Sequence, residues 1–379
     1  MKGGGVTRCM KILYVTTTTD LGGAEKALLD LVRTVAKNNQ VKVVSLKPLG
    51  TLSTQFKETG AQLVSCNMNG WGWNALRTLS LEIKSFQPDI IHAILFRGME
   101  FTRFSNWKNA IPLITTPHFD LSKKNFILRG IDRILRRRDF CTIAESKSTY
   151  QYLLAAQKYP KEHVLLINNA PEEGKFFPDI QARQRMRQTY KFTEKQPVFI
   201  SVARLEKEKN PLLLLRAFLT IFQKNKEVRL VLVGQGSLKD DLMAFIKEKK
   251  LQNAVFLVGE QNNINDWLNM ADVFVLPSEE ESLPLSLLEA LQTGKPCIVS
   301  NVGDMVSWVN HGENGFVINK GDENQLSNAL ARLAEQVDLR KNMSEKSLKK
   351  STEIEDMLLK YQHLYQQILE ESFHVKTLK

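Results

Sequence analysis

Cysteine is scarce in this chain. Cys9, Cys66, Cys141 and Cys297 are far apart and form no CxxC pair, which excludes a disulfide framework and a cysteine zinc site and fits a reducing compartment. No apolar run approaches the roughly 18 residues that a spanning helix needs, so an integral membrane protein is excluded. The opening "MKGGGVTRC" has neither an apolar core nor a cleavage pattern. It reads as an upstream extension before a strand that begins at Met10, and a cytoplasmic location is expected. Neither a Walker lysine nor a GxGxxG pattern follows the first strand, and there is no short-period repeat or low-complexity tract.

What the chain does have is globular composition, with 43% hydrophobic and 25% charged residues over a length of 379. That length exceeds what one core usually organises. Short apolar runs alternate with amphipathic segments: "KILYVTT", a helix from about Gly23 to Ala36, "VKVVSL", "AQLVSC", "DIIHAIL", "LITTPH" and "FCTIAES". After a polar pause between about Pro171 and Gln196 the alternation restarts with "PVFISVAR", "VRLVLVG", "AVFLVG", "DVFVLPS", "PCIVSN" and "GFVI". This pattern predicts an α/β fold of two doubly wound parallel-sheet domains, over residues 1–180 and 181–352. A last helical segment, 353–379, is expected to cross back to the first domain.

Charge is divided unevenly. Up to residue 190 there are 28 Lys/Arg against 15 Asp/Glu, and beyond it 24 against 26, so the first half carries +13 and the second −2 of the net +11. Such a surface suits an anionic partner, although a solvated basic face has the same composition.

In open α/β sheets ligands sit beyond the carboxyl ends of strands, which directs attention to the residues there. Gly22 and Gly23 open the first helix, where bare backbone N–H groups can approach an anion; a simple tight turn would look the same. After the first strand of the second domain, "ARLEKEKNP" offers Arg204 and Lys209, a fork and an ammonium able to neutralise a diphosphate. In "SEEESLPLSLLEALQTGKPCIVS", Pro284 suits a first helical turn. Ser282, Ser286, Glu289 and Thr293 then share one helical stripe, with Leu287, Leu288 and Leu291 elsewhere. Glu289 can accept two hydrogen bonds from a vicinal diol, and Glu281 lies beside free N–H groups at the helix start. Either glutamate taken singly is more commonly a solvated surface residue.

Taken together, "LGGAE", "ARLEKEKNP" and "PSEEESLPLSLLEALQTGKPCIVSNVGDMVSWVNHGENGFV" resemble the retaining glycosyltransferases of family 4, over most of the chain from Met10. Glu281 and Glu289 supply that family's E-x7-E signature. The resemblance implies the GT-B fold, two facing Rossmann-like domains. It also implies transfer of a sugar from a nucleotide-sugar, with UDP the default, and retention of anomeric configuration. The acceptor would be a glycan or lipid-linked molecule in bacterial-type surface glycan or glycolipid biosynthesis, and the activity that of a hexosyltransferase or N-acetylhexosaminyltransferase. Gly22 and Gly23 would approach the donor diphosphate, Arg204 and Lys209 would bind it, and Glu289 would bind the ribose. Glu281 and the segment Ser282, Leu283, Pro284 and Leu285, through the N–H groups of its non-proline residues, would hold the transferred sugar. His118 in "TTPHFD" matches the family's active-site histidine, with His92 in "DIIHAIL" the weaker candidate. Two departures stand out: Ser282 replaces a usual glycine, and "NNAPEEGKF" replaces an Asn-Gly-Val-Asp type of turn. No D-x-D occurs, so no metal cofactor is expected.

The basic first domain is expected to carry the acceptor. Between residues 121 and 140 lie Lys123, Lys124, Arg129, Arg133, Arg136, Arg137 and Arg138, interleaved with Phe126, Ile127, Ile131, Ile134 and Leu135 at helical spacing. A basic amphipathic helix of this kind can rest on an anionic bilayer, placing the protein peripherally on the inner face of the cytoplasmic membrane. An ordinary domain helix with solvated cations is the alternative. Trp71 and Trp73 are further interface candidates. Nucleic acid is not an expected partner, because no RNA-binding module is present. Two readings remain open beside a transferase, a nucleotide-sugar epimerase and a non-catalytic nucleotide-sugar binding protein, while the absence of a pyridoxal-binding lysine motif argues against a phosphorylase.

Overall fold

The computed structural model describes residues 9–377 apart from 71, 110, 118–125, 173 and 355–356, with the side chains of 126–129 and 372–377 also outside the description. The chain divides into two compact units. Residues up to Asn169 and the segment from Asp356 onward form unit 1, and Ala170–Glu355 form unit 2.

Unit 1 is built on seven strands: β1 (Lys11–Thr16), β2 (Gln40–Ser45), β3 (Gln62–Ser65), β4 (Ile90–Ile94), β5 (Leu113–Thr116), β6 (Cys141–Ala144) and β7 (Val164–Leu166). Between them run α1 (Gly23–Val35), α2 (Ser53–Glu58), α3 (Trp73–Phe86), α4 (Phe96–Ser105), α5 (Phe126–Leu135) and α6 (Lys147–Ala155). All pairings are parallel, in the order β3-β2-β1-β4-β5-β6-β7. Strands such as β1 and β4 are buried almost throughout, which is why their sequences are nearly continuous apolar runs rather than alternating ones.

Unit 2 repeats the design with β8 (Val198–Val202), β9 (Arg229–Val233), β10 (Val255–Gly259), β11 (Val273–Leu276), β12 (Cys297–Ser300) and β13 (Gly315–Ile318). Its helices are α7 (Ile180–Thr189), α8 (Pro211–Lys224), α9 (Lys239–Glu248), α10 (Ile264–Met270), α11 (Leu285–Gln292), α12 (Met305–Trp308), α13 (Glu323–Glu335) and α14 (Val337–Ser351). The parallel order is β10-β9-β8-β11-β12-β13. Helices cover both faces, so one apolar core gathers around Leu214, Phe218 and Leu330 and another around Phe274, Leu287 and Leu291.

Strand order reverses direction between β1 and β4 in unit 1 and between β8 and β11 in unit 2. The two crossovers there leave in opposite directions, and a crevice opens at the carboxyl ends of those strands. The loops after β1, β8 and β11 carry Gly22, Arg204 with Lys209, and Glu281.

The C-terminal helix α15 (Met357–Thr377) belongs to unit 1 and packs on α1 and β4. Tyr365 is fully buried, with its hydroxyl 3.0 Å from that of Tyr14 on β1 and 2.9 Å from Nδ1 of His92 on β4. Nε2 of His92 lies 2.8 Å from the Thr116 hydroxyl at the end of β5. Both ring nitrogens are therefore engaged in the core, and His92 pins the C-terminal helix to the sheet.

Candidate functional site

The loop after β8 is positioned by backbone geometry. Asn210 adopts the left-handed conformation, φ 51° and ψ 49°, and hands the chain to Pro211 as the first residue of α8. This turn leaves Lys209 beside the loop that follows β11. There its ammonium donates to Oε1 of Glu281 at 2.5 Å, and the Ser278 hydroxyl donates to the same oxygen at 2.9 Å. Two further bonds join the loops: Glu279 N–H donates to the Glu208 carbonyl at 2.7 Å, and Asn210 Nδ2 to Glu279 Oε1 at 3.2 Å.

A third loop buttresses these two. Gly303, after β12, sits at φ +55°, and a Cβ there would lie 2.2 Å from the Glu281 carbonyl oxygen. Only glycine lets that carbonyl approach so closely. Asp304 N–H then donates to the Ser282 carbonyl at 2.8 Å. The backbone from Glu279 to Ser282 is thus held from both sides.

Pro284 stands one residue before α11, with extended backbone (φ −74°, ψ 129°), so the helix begins at Leu285 and not at the proline. Ser282 precedes the helix and is not on its stripe. Glu289 is only 2% exposed, which corrects the solvated-surface reading. The Glu281 side chain, 8% exposed, does likewise. Arg204 is 58% exposed and pairs with Glu208 at 2.7 Å. Exposed pairs of this kind contribute about 0–1 kcal/mol, so Arg204 can exchange its partner for an anion at little cost.

In unit 1, Gly22 caps α1 in an extended conformation, φ −152° and ψ 166°, open to any residue. A Cβ there would lie 2.3 Å from Oε2 of Glu25, the movable end of a side chain that folds back over the helix start, so neither backbone nor space demands glycine at this position. Gly23 has no heavy atom within 4 Å of its missing Cβ, leaving that face of the turn open. His118, Trp71, Lys123 and Lys124 lie outside the described residues, as does the side chain of Arg129. Trp73 starts α3 and is 78% exposed.

Helix α5 differs from the expectation in detail. Leu135 and Asp132 face inward, while Ile131 and Ile134 lie outward beside exposed Arg133 and Arg137. Arg136 is not a surface cation: its guanidinium donates to the Gln157 and Lys158 carbonyls and lies over the Tyr159 ring. Asp132 joins Glu100 and Asp139 around Arg103, whose side chain is completely buried. Arg138 stacks on Trp107, which is half-exposed near Phe104 at the end of α4. Sequence reasoning passed over Ser278, Glu279, Asn210, Gly303 and Trp107. Position in a loop after a strand end was the available signal for Ser278, Glu279, Asn210 and Gly303, and none marked Trp107.

Comparison with known proteins settles the class. The Glycosyltransferase Family 4 profile matches residues 21–171, and the Glycosyl transferases group 1 profile matches 182–350. The chain belongs to glycosyltransferase family 4. N-acetyl-alpha-D-glucosaminyl L-malate synthase of Bacillus anthracis is 26% identical over 55% of this chain and 55% of its own. UDP-Gal:alpha-D-GlcNAc-diphosphoundecaprenol alpha-1,3-galactosyltransferase of Escherichia coli is 35% identical over 45% of each. This family 4 chain thus spans about half the length of the curated relatives it matches. The crystal structure of HepE from Anabaena with UDP and glucose superposes with a TM-score of 0.82, at 20% identity, over 96% of this chain and 99% of that one. The fold is GT-B.

Proposed function

We propose that this family 4 member transfers a hexose or N-acetylhexosamine from a UDP-sugar to a glycan or lipid-linked acceptor, with retention of configuration. The observation that carries the proposal is the Lys209–Glu281 pair, at the point in unit 2 where strand order reverses, with Arg204 on the same loop. The UDP and glucose bound in HepE, and the lipid-linked acceptor in the name of the E. coli relative, support the substrate class.

In the proposed reaction the bond from the anomeric carbon to the diphosphate breaks and a bond to the acceptor oxygen forms on the same face. The acceptor's proton passes to the departing phosphate oxygen, so no separate protein base is required. Charge gathers on the diphosphate as it leaves, where Arg204 and Lys209 meet it. Glu289 receives the ribose, and Glu281 with the N–H groups of Ser282, Leu283 and Leu285 receives the sugar. No divalent metal is invoked, and EDTA is expected to leave turnover unchanged.

On the acceptor side, the outward face of α5 and the end of α4 combine Ile131, Ile134, Phe104 and Trp107 with Arg133, Arg137 and Arg138. This mixture supports peripheral contact with an anionic membrane on its cytoplasmic side. Among the described residues no helix is long and apolar enough to cross a bilayer.

A thermal-shift panel of UDP, GDP and ADP tests the donor, since a ligand at 100 times its Kd adds about 2.7 kcal/mol of stability. UDP is expected to give the largest shift. Arg204→Ala and Lys209→Ala are each expected to lower turnover on the order of 100-fold. If both leave it unchanged, the assignment is wrong.

A further inference from the structure

The Glu281 carboxylate is used unevenly. Its Oε1 accepts from both Lys209 Nζ and Ser278 Oγ, two donors that fill its two lone pairs. Its Oε2 accepts from none of the described residues and is not one of the buried unpaired oxygens. Ser278 is completely buried two residues beyond β11, so its hydroxyl is a fixed point from which the carboxylate can be aimed.

Without that hydroxyl the carboxylate can turn about its last torsion, which is broad and roughly two-fold, and exchange its oxygens. Lys209 alone cannot prevent this, because an ammonium on a flexible stem follows either oxygen. The buried serine breaks the symmetry.

We propose that Ser278 is a positioning residue that divides the labour of Glu281: Oε1 orients the Lys209 ammonium toward the leaving diphosphate, and Oε2 is reserved for hydroxyls of the transferred sugar. This rests on the reading of the site given above. It adds a mechanical coupling between sugar recognition and neutralisation of the leaving group, carried through one side chain.

The test compares wild type, Ser278→Ala, Glu281→Gln and the double variant, with UDP, UDP-glucose and UDP-galactose as probes. UDP binding is measured by calorimetry and UDP release by a coupled assay. Ser278→Ala is expected to bind UDP within twofold of wild type, to lose about tenfold in kcat with little change in KM, and to narrow the preference between the two sugar nucleotides. In the Glu281→Gln background the same substitution is expected to change kcat less than twofold, because the two residues act as a unit. A merely structural serine would act equally in both backgrounds, and that result overturns the proposal. So does a Ser278→Ala enzyme with wild-type kcat and preference. A wild type that neither binds UDP nor releases it from either sugar nucleotide overturns the proposed function, and this inference with it.

Discussion

Replacing Arg103 with methionine should unsettle unit 1 in a pH-dependent way. Its guanidinium donates to Glu100 at 2.6 Å, to Asp132 at 2.9 Å, and to both oxygens of Asp139. Tyr159 and Thr115 add hydroxyl donors to Asp132 and Asp139. Three carboxylates thus share one buried cation, with Arg136 only at the margin, 3.8 Å from Asp132. Burial is the largest influence on Glu100 and lifts it from 4.5 to about 7, against the pull of Arg103; burial raises Asp139 too. The sign follows from linkage. A carboxyl raised in the folded state contributes stability that is full below pH 4.5 and lost as pH rises through about 7. For Glu100 that separation corresponds to about 3 kcal/mol.

Removing the arginine strands the remaining charge, for which a loss of about 3–5 kcal/mol is typical. The carboxyls can escape part of this loss by taking up protons. Arg103→Met is therefore expected to lose about 3–5 kcal/mol at pH 8.5 and clearly less at pH 5.5, with Glu100→Gln removing much of the difference. Peptide-resolved hydrogen exchange suits a two-unit chain, because it reads β5 and β6 separately from unit 2. Equal losses at the two pH values, or a loss below about 1 kcal/mol, would refute the reasoning.

Three other outcomes are expected. Gly303→Ala places a side chain in the left-handed region at about 1–2 kcal/mol and against the Glu281 carbonyl, so thermal unfolding should fall and turnover with it; an unchanged Tm would count against the buttress. Lys295 is buried, and burial, reinforced by Arg183 and Arg187, lowers it from 10.5 to about 8. Stability linked to a depressed lysine is present above pH 10.5 and lost as pH falls through about 8, so Lys295→Met should raise the denaturation midpoint of unit 2 at pH 6.5 by more than at pH 10. Tyr365→Phe leaves His92 and Tyr14 each short of one hydroxyl partner and should cost about 1–3 kcal/mol, read as faster exchange in α15 and β4.

Much of this protein was legible in the order of its residues. Continuous apolar strands separated by helical periodicity determine two parallel sheets, because a strand buried on both faces cannot carry a polar alternation. The motifs at strand ends suggest the proposed chemistry, since glycines, paired cations and spaced glutamates are all local signals. Tertiary structure alone decided the pairings. Lys209 and Glu281 are 72 positions apart and meet because β8 and β11 are neighbours in the sheet. Local pattern likewise could not show that Glu289 is buried, that Arg136 is consumed by two carbonyls and a tyrosine ring, or that His92 serves the core. Each of those outcomes depends on what another segment brings alongside, and burial and partnership are properties of that meeting rather than of any stretch of sequence.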